Sequence, residues 1–337
     1  MNVKAPQLSR QIKLHEERLM SMNRRDAMLS LIQDTALPDY IPAAFFLHFD
    51  SAYHQGQAAI DKHLEFFRIT DMDFVKIQYE QPFPPSALIR KPGDWAHAPL
   101  CSEEFFEAPI HVVEGLVKAA RSEALVIMTL YSPFMWATHL DEAADIAHHL
   151  REDPEAVKKG LTIMTENVLT LVRACKRVGV DGFYASSQGG EAFRFQDSSI
   201  FQKYIKPTDL AVWDEMSSCS FNILHICDYE GGYDDLTPFL DYPGHVVNSS
   251  LKLGDRTLSP KDVSQLFGRP FMGGLERKGA LATGNPEAIQ QTVTDVLAQT
   301  PERFILAADC TVPSDTPWRH LRTAIETAHQ YRKHHIS

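Results

Sequence analysis

The residues best equipped for chemistry stand in "ILHICDYEGGYDD" (223–235) and "AADCTVP" (307–313). His225 and Cys227 lie two apart at the end of an apolar run. In a strand their side chains therefore point to one side and can grip one ion together. Cys310 ends another apolar run and offers a third soft donor. One nitrogen and two thiolates suit Zn²⁺, and three protein ligands with an open fourth position is the catalytic pattern, whereas four protein ligands make a structural site. The same triplet also fits a plain core strand, because free Cys is among the most buried residue types. Spacing alone leaves both readings open, so the elements that carry these residues matter.

From Ala43 onward, short apolar runs alternate with longer amphipathic stretches. The strand-like runs are 43–49, 73–79, 124–131, 181–186, 221–227, 245–251, 270–275 and 303–309. Helical spacing falls at 57–69, 109–121, 155–178, 199–217, 233–240, 259–267, 285–299 and 316–333. In "GNPEAIQQTV" Asn285 caps, Pro286 takes the first helical position and Glu287 favours the helix dipole. Strand alternating with helix in this way predicts an α/β fold, a (β/α)8 TIM barrel over 43–333 with N-terminal helices over 1–40. An open doubly wound sheet is the rival. It lacks support, because no Gly-rich dinucleotide fingerprint follows the first strand and no phosphate-binding P-loop occurs. With no repeat or linker in view, the expectation is one domain over 1–337, and the stretch 133–155 reads as a helical excursion over the barrel mouth.

In a barrel, the active site lies at the C-terminal ends of the strands. That places His48 and Asp50 at the mouth from the first strand, and Lys76, Gln78 and Glu80 from the second. Tyr131 comes from the third, Ser186 and Gln188 from the fourth, His225 and Cys227 from the fifth, Asn248 from the sixth, Glu276 from the seventh and Cys310 from the eighth. His48, Asp50, Lys76, Gln78, Glu80, Tyr131, Gln188 and Asn248 are the substrate-binding candidates, and Glu276 joins the metal triad as a catalytic candidate. The plainer readings are that Lys76 pairs with Glu80 and that His48 is a satisfied core histidine. Cys101, Cys175 and Cys219 read as packed thiols.

Hydrophobic residues make up 44% of the 337-residue chain and charged residues 23%, which suits a globular protein with a sizeable core. The formal net charge of -11 disfavours a nucleic-acid partner. No apolar run is long enough to span a membrane, and the charged N-terminus has no signal-peptide pattern, so a cytoplasmic protein without membrane contact is expected. The odd count of 5 cysteines points to reduced thiols.

Several longer motifs resemble the uroporphyrinogen decarboxylase superfamily across nearly the whole chain. "RRDAMLSLIQDTALPDYIPAAFF" looks like its opening helix, Asp-x-x-Pro turn and first strand, and "YSPFMWATHL" is similar to its third-strand element. "FMGGLERKGALATGNPEAIQQTV" resembles its seventh-strand G-N-x-D and the following helix start, with Gly274 where the Asn usually stands. "FILAADCTVPSDTPWRHLRTAIETAHQY" resembles its last strand and final helix. The fold implied is a (β/α)8 barrel.

The departures separate two chemistries within that superfamily. The M-R-Q-A-G-R motif of the decarboxylases is missing. "DFVKIQYEQPF" lacks their second-strand Asp, and Cys310 replaces the His of their last strand. The corrinoid-dependent methyltransferase branch is instead marked by His-x-Cys and a distant Cys that bind zinc, a pattern that His225, Cys227 and Cys310 match. The resemblance thus implies a zinc-dependent methyltransferase that moves a methyl group between a corrinoid on a partner protein and a thiol or another small acceptor. A tetrapyrrole decarboxylase is the runner-up, and a non-catalytic member with a structural zinc is a further alternative. "DKHLEF" (61–66) lacks the Gly of a corrinoid-binding motif, so the corrinoid is expected on the partner.

Overall fold

The computed structural model describes residues 23–35, 37–84, 89–140 and 144–335. Of the N-terminal helices expected over 1–40, the part before residue 23 lies outside the described residues. The rest contains α1 (Arg24–Gln33), which Asn23 caps by accepting from the Asp26 N–H. The chain continues through α2 (Gly56–Thr70), β1 (Phe74–Ile77), α3 (Glu107–Ala120), β2 (Leu125–Tyr131), α4 (Pro133–Thr138), α5 (Ile146–Glu152) and α6 (Pro154–Arg177). Next come β3 (Gly182–Ser187), α7 (Lys206–Met216), β4 (Ile223–Ile226), β5 (Val246–Ser249) and a hairpin of β6 (Lys252–Leu253) and β7 (Arg256–Thr257). The last part holds α8 (Pro260–Phe267), β8 (Phe271–Leu275), α9 (Ala280–Thr283), α10 (Pro286–Leu297), β9 (Phe304–Ala308) and α11 (Trp318–His335).

Seven strands form one parallel sheet in the order β1-β2-β3-β4-β5-β8-β9. The segment 42–46 closes it between the two edges. Ala43 bridges Leu306 in parallel. The Ala44 N–H donates to the Leu306 carbonyl at 3.0 Å, and on the other side the Asp73 N–H donates to the Ala43 carbonyl at 3.0 Å. This is the first of the eight expected strands, reduced to a bridge for two reasons. Pro42 has no N–H to give. The buried carboxylate of Asp73 takes the Ala43 N–H at 2.7 Å, so a side chain replaces a ladder bond. The α/β barrel expected from the sequence is the fold observed.

One expected helix is absent. Between β4 and β5 the stretch 233–240 contains only a 3₁₀ turn at Thr237–Phe239. Asp234, Asp235 and Pro238, with Gly231 and Gly232 just before them, favour turns, while Tyr233, Leu236, Phe239 and Tyr242 are buried without regular structure. Ser259 and Asp262 form a capping box on α8, and Asn285 accepts from the Ala288 N–H at 2.8 Å to open α10.

The barrel interior is a packed core. Phe46, Phe74, Phe221 and Tyr184 meet edge-on or tilted at centroid distances of 5.4–5.8 Å. At the N-terminal ends of the strands, buried acids tie the layers. Asp181 accepts from the Arg25 guanidinium and the Val126 N–H. Asp73 accepts from Tyr40 Oη and contacts His329 Nε2, both at 2.8 Å. These bonds serve the closure of the barrel and leave its other end free for chemistry.

Candidate metal centre and active-site cavity

Above the core, at the C-terminal ends of the strands, a cavity of about 670 Å³ opens. His225 projects from β4, and Cys227 follows it with its N–H held by the Ser187 carbonyl at 3.0 Å. Cys310 follows β9 immediately after Asp309, whose N–H continues the ladder onto the Leu275 carbonyl at 2.8 Å. All three side chains are buried, and their ligand atoms lie within 4.8 Å of one another. Nδ1 of His225 is buried with no hydrogen-bond partner. A buried imidazole nitrogen facing no partner is unfavourable, and a bound cation would relieve it. The donor set and the unpartnered nitrogen together fit a soft divalent ion held by His225, Cys227 and Cys310.

The hydrogen bond from Cys227 pulls Cys310 well below the usual thiol range, with His225 and Arg277 adding to the fall, while the same bond and burial push Cys227 up. A thiolate is the metal-binding form, so the downward shift of Cys310 favours ligation. Gln188 donates from Nε2 to Cys227 Sγ at 3.6 Å. The loop that carries it is pinned by the buried pair of Glu191 and Arg194, at 3.0 Å. Met135, at the start of α4, packs against both cysteines with Tyr131 beside it. The expected excursion over the mouth thus supplies an apolar cover at the triad.

A second layer fixes the histidine. Its ring stacks on Tyr184 with centroids 4.8 Å apart and planes 29° off parallel. Tyr184 donates its hydroxyl to Asn248 Oδ1 at 2.5 Å, and Asn248 Nδ2 donates to the carbonyls of Met272 and Ala308. The two carbonyls fix which way the amide points, the amide fixes the phenol, and the phenol ring sets the plane of the imidazole.

The structure sorts the other expected residues. His48, Lys76, Gln78, Tyr131, Ser186 and Gln188 line the cavity with the triad. Lys76 donates to Gln78 Oε1, which also accepts from Thr129. The plainer reading, Lys76 paired with Glu80, is replaced by a Glu80 contact to His48 Nδ1 at 2.9 Å. Glu80 therefore stands behind His48 and does not line the cavity. Asp50 is exposed and caps the 3₁₀ turn Ser51–Tyr53 by accepting from the Ala52 N–H. Asn248 lies beneath the cavity with its amide fully engaged, so it has no group left for a substrate.

Glu276 is also outside the cavity and exposed, contrary to its expected place at the mouth. Strand alternation fails there because Gly273 and Gly274 both take positive φ, 151° and 103°, which breaks the pleat of β8. The next residue, Arg277, turns into the cavity instead and pairs with Asp228 at 2.7 Å and Asp309 at 3.3 Å. A side chain at Gly274 would start 2.5 Å from Val296, toward α10, so the Asn expected there has no counterpart in the mouth. Tyr184 and Thr129 were legible as inward-facing, two positions before Ser186 and Tyr131. Met135 and Arg277 had no such signal.

Family comparisons agree with this architecture. The family described as uroporphyrinogen decarboxylase (URO-D) matches residues 71–331. A methyltransferase from Methanosarcina mazei superposes with a TM-score of 0.74 at 13% identity, covering 94% of this chain and 100% of that one. A B12-independent methionine synthase from Shewanella sp. W3-18-1, in complex with selenomethionine, superposes with a TM-score of 0.52 at 12% identity, covering 88% of this chain and 96% of that one. No curated protein matches the chain by sequence. At such identities the superpositions speak for the fold, while the match over 71–331 spans most of the barrel: the chain belongs to the uroporphyrinogen decarboxylase (URO-D) family.

Proposed function

We propose that this protein is a zinc-dependent methyltransferase that moves a methyl group between a corrinoid carried by a partner protein and a thiol or another small acceptor. The observation that carries the reading is the convergence of His225, Cys227 and Cys310 in the mouth cavity, with Nδ1 of His225 unpartnered. The resemblance of this triplet to the zinc-binding pattern of the methyltransferase branch supports it. So does the similarity to the Methanosarcina mazei methyltransferase fold.

When bound, zinc would supply Lewis acidity that holds a substrate thiol as thiolate at neutral pH. The chain's own residues prepare that chemistry. Gln188 steadies the Cys227 sulfur, and the Asn248–Tyr184 pair holds the His225 ring in plane. Met135 and Tyr131 keep water from the apolar side of the triad, which strengthens electrostatic contacts there. His48, braced by Glu80, and Arg277, braced by Asp228 and Asp309, line other parts of the cavity and offer donors to a bound substrate.

Incubating the zinc-loaded protein with methylcobalamin and small thiols tests this function. Loss of the methyl group, followed by the cobalamin spectrum, is expected for the wild type and should fall about 100-fold or more in Cys227→Ser, since even the outer partners of a metal ligand are worth about 10–100-fold. Equal rates in the two proteins would contradict the proposal.

A further inference from the structure

The two strands that lead to the cysteines of the triad are not joined by an unbroken ladder. β4 pairs with β5 as far as Ile226 with Ser249, and β8 pairs with β9 as far as Leu275 with Ala308. Between them, β5 and β8 pair only at Val247 with Phe271 and at Asn248 with Met272. Beyond Met272 the positive φ of Gly273 and Gly274 takes β8 off its pleat, and the ladder to β5 stops there. The Asn248 amide crosses this seam one layer down, to the Met272 and Ala308 carbonyls. At the level of the triad no ladder holds the end of β4, with Cys227, against the end of β9, with Cys310.

Arg277 spans that gap. Its Nη1 lies 2.7 Å from Asp228 Oδ1 and 3.3 Å from Asp309 Oδ1, and its backbone N–H donates to the same Asp309 oxygen at 3.0 Å. Asp228 directly follows Cys227, and Asp309 directly precedes Cys310. The three side chains are largely buried, at 12–15% exposure, so solvent and salt screen them less than a surface pair. Asp309 lies on the same half of the seam as Arg277, which makes the Asp228 contact the crossing bond.

We infer that Arg277 is a positioning residue for the metal centre, which through Asp228 and Asp309 sets the separation of Cys227 and Cys310 across the open seam. It deepens the proposed function, on which it rests for the ion but not for the spacing of the two thiols. Charge and position act in opposite directions here. A guanidinium beside the site repels a divalent cation, so as a charge alone Arg277 weakens metal binding, whereas as a clamp it strengthens it.

Competition with a chromophoric chelator measures zinc affinity in the full-length wild type, Arg277→Met, Asp228→Ala and the double variant. Groups that orient a metal ligand are worth about 10–100-fold in affinity, so all three variants are expected to bind zinc about ten-fold weaker or more. The double variant should be no weaker than either single one, because the same crossing link is lost in each. Asp309→Asn keeps that link and should lose less. Charge alone gives a different pattern: tighter binding in Arg277→Met, weaker in Asp228→Ala and nearly wild-type affinity in the double variant. That pattern would overturn the inference.

A second readout uses the metal-free protein. Phenylarsine oxide condenses with two neighbouring thiols, forming two As–S bonds and releasing the oxide oxygen with both protons as water, so capture reports how close the thiols are held. The wild type should capture it, Cys310→Ser should not, and Arg277→Met should lose much of the capture. A general folding defect acts the other way, since it exposes the buried Cys101 and Cys175 and raises their reaction with iodoacetamide. Equal capture by wild type and Arg277→Met would overturn the inference. A wild type that takes no zinc but captures the arsenical better than Arg277→Met would leave the clamp standing and remove the metal.

Discussion

At the scale of single residues, the site depends on bonds that orient side chains one step away from the triad. Tyr184→Phe removes the 2.5 Å bond to Asn248 and leaves a buried carbonyl oxygen without its donor. A loss of about 1–3 kcal/mol in urea unfolding is expected, together with weaker metal retention in a competition with a chelator. Unchanged stability and retention would show that the stack on His225 is incidental. Asp209 gives a pH signature. Burial raises its carboxyl from the ordinary value of 3.8 to about 7, although Tyr242 donates to it at 3.0 Å. The folded state then keeps a proton that the unfolded chain has released, so this group's contribution to stability declines as pH rises from about 4 to about 7 and is level above that. Comparing melting temperatures at pH 5 and pH 8 should show a smaller drop for Asp209→Asn than for the wild type. An equal drop would place the pH dependence elsewhere.

Among the secondary-structure elements, β8 determines which residue reaches the mouth. Gly274 adopts φ of 103°, and a Cβ there would lie 2.5 Å from Val296. Gly274→Ala is therefore expected to cost more than about 1 kcal/mol in denaturant unfolding and to disturb Arg277. A change within experimental error would mean that the strand relaxes freely. This strand also marks the limit of what the sequence disclosed. Alternation along β4 correctly put His225 and Cys227 on one side, because the strand is regular and its register with β3 and β5 is unbroken. The same rule misplaced Glu276, since two glycines in positive φ reset the pleat. It also said nothing of Asn248's use, since an inward-facing amide serves a substrate or a neighbour depending on which carbonyls surround it. The triad was legible from residue type and strand-end position. Met135 and Arg277 were not, because a short helix directly after β2 places the one and a turn after β8 the other, and neither follows a strand's period.

For the molecule as a whole, the barrel is closed by the irregular segment 42–46 and by one buried acid. Asp73 engages Ala43 N–H, Tyr40 and His329, and so joins the entry of the chain, β1 and α11. Asp73→Ala strands those groups and should lower stability on the order of 3 kcal/mol, read by urea unfolding. A loss under about 0.5 kcal/mol would mean that apolar packing alone closes the ring. Among the described residues no helix is long and apolar enough to cross a membrane. The closed ring matters for function because it brings β4 and β9, far apart in sequence, to one cavity where two cysteines are hydrogen-bonded to each other and a histidine nitrogen lacks a partner. Elemental analysis of the purified protein, wild type against Cys310→Ser, tests that central claim most directly. About one zinc per chain in the wild type, largely lost in the variant, is the expected result. A wild type that stays free of metal after zinc is supplied would contradict it and make the triplet a plain part of the core.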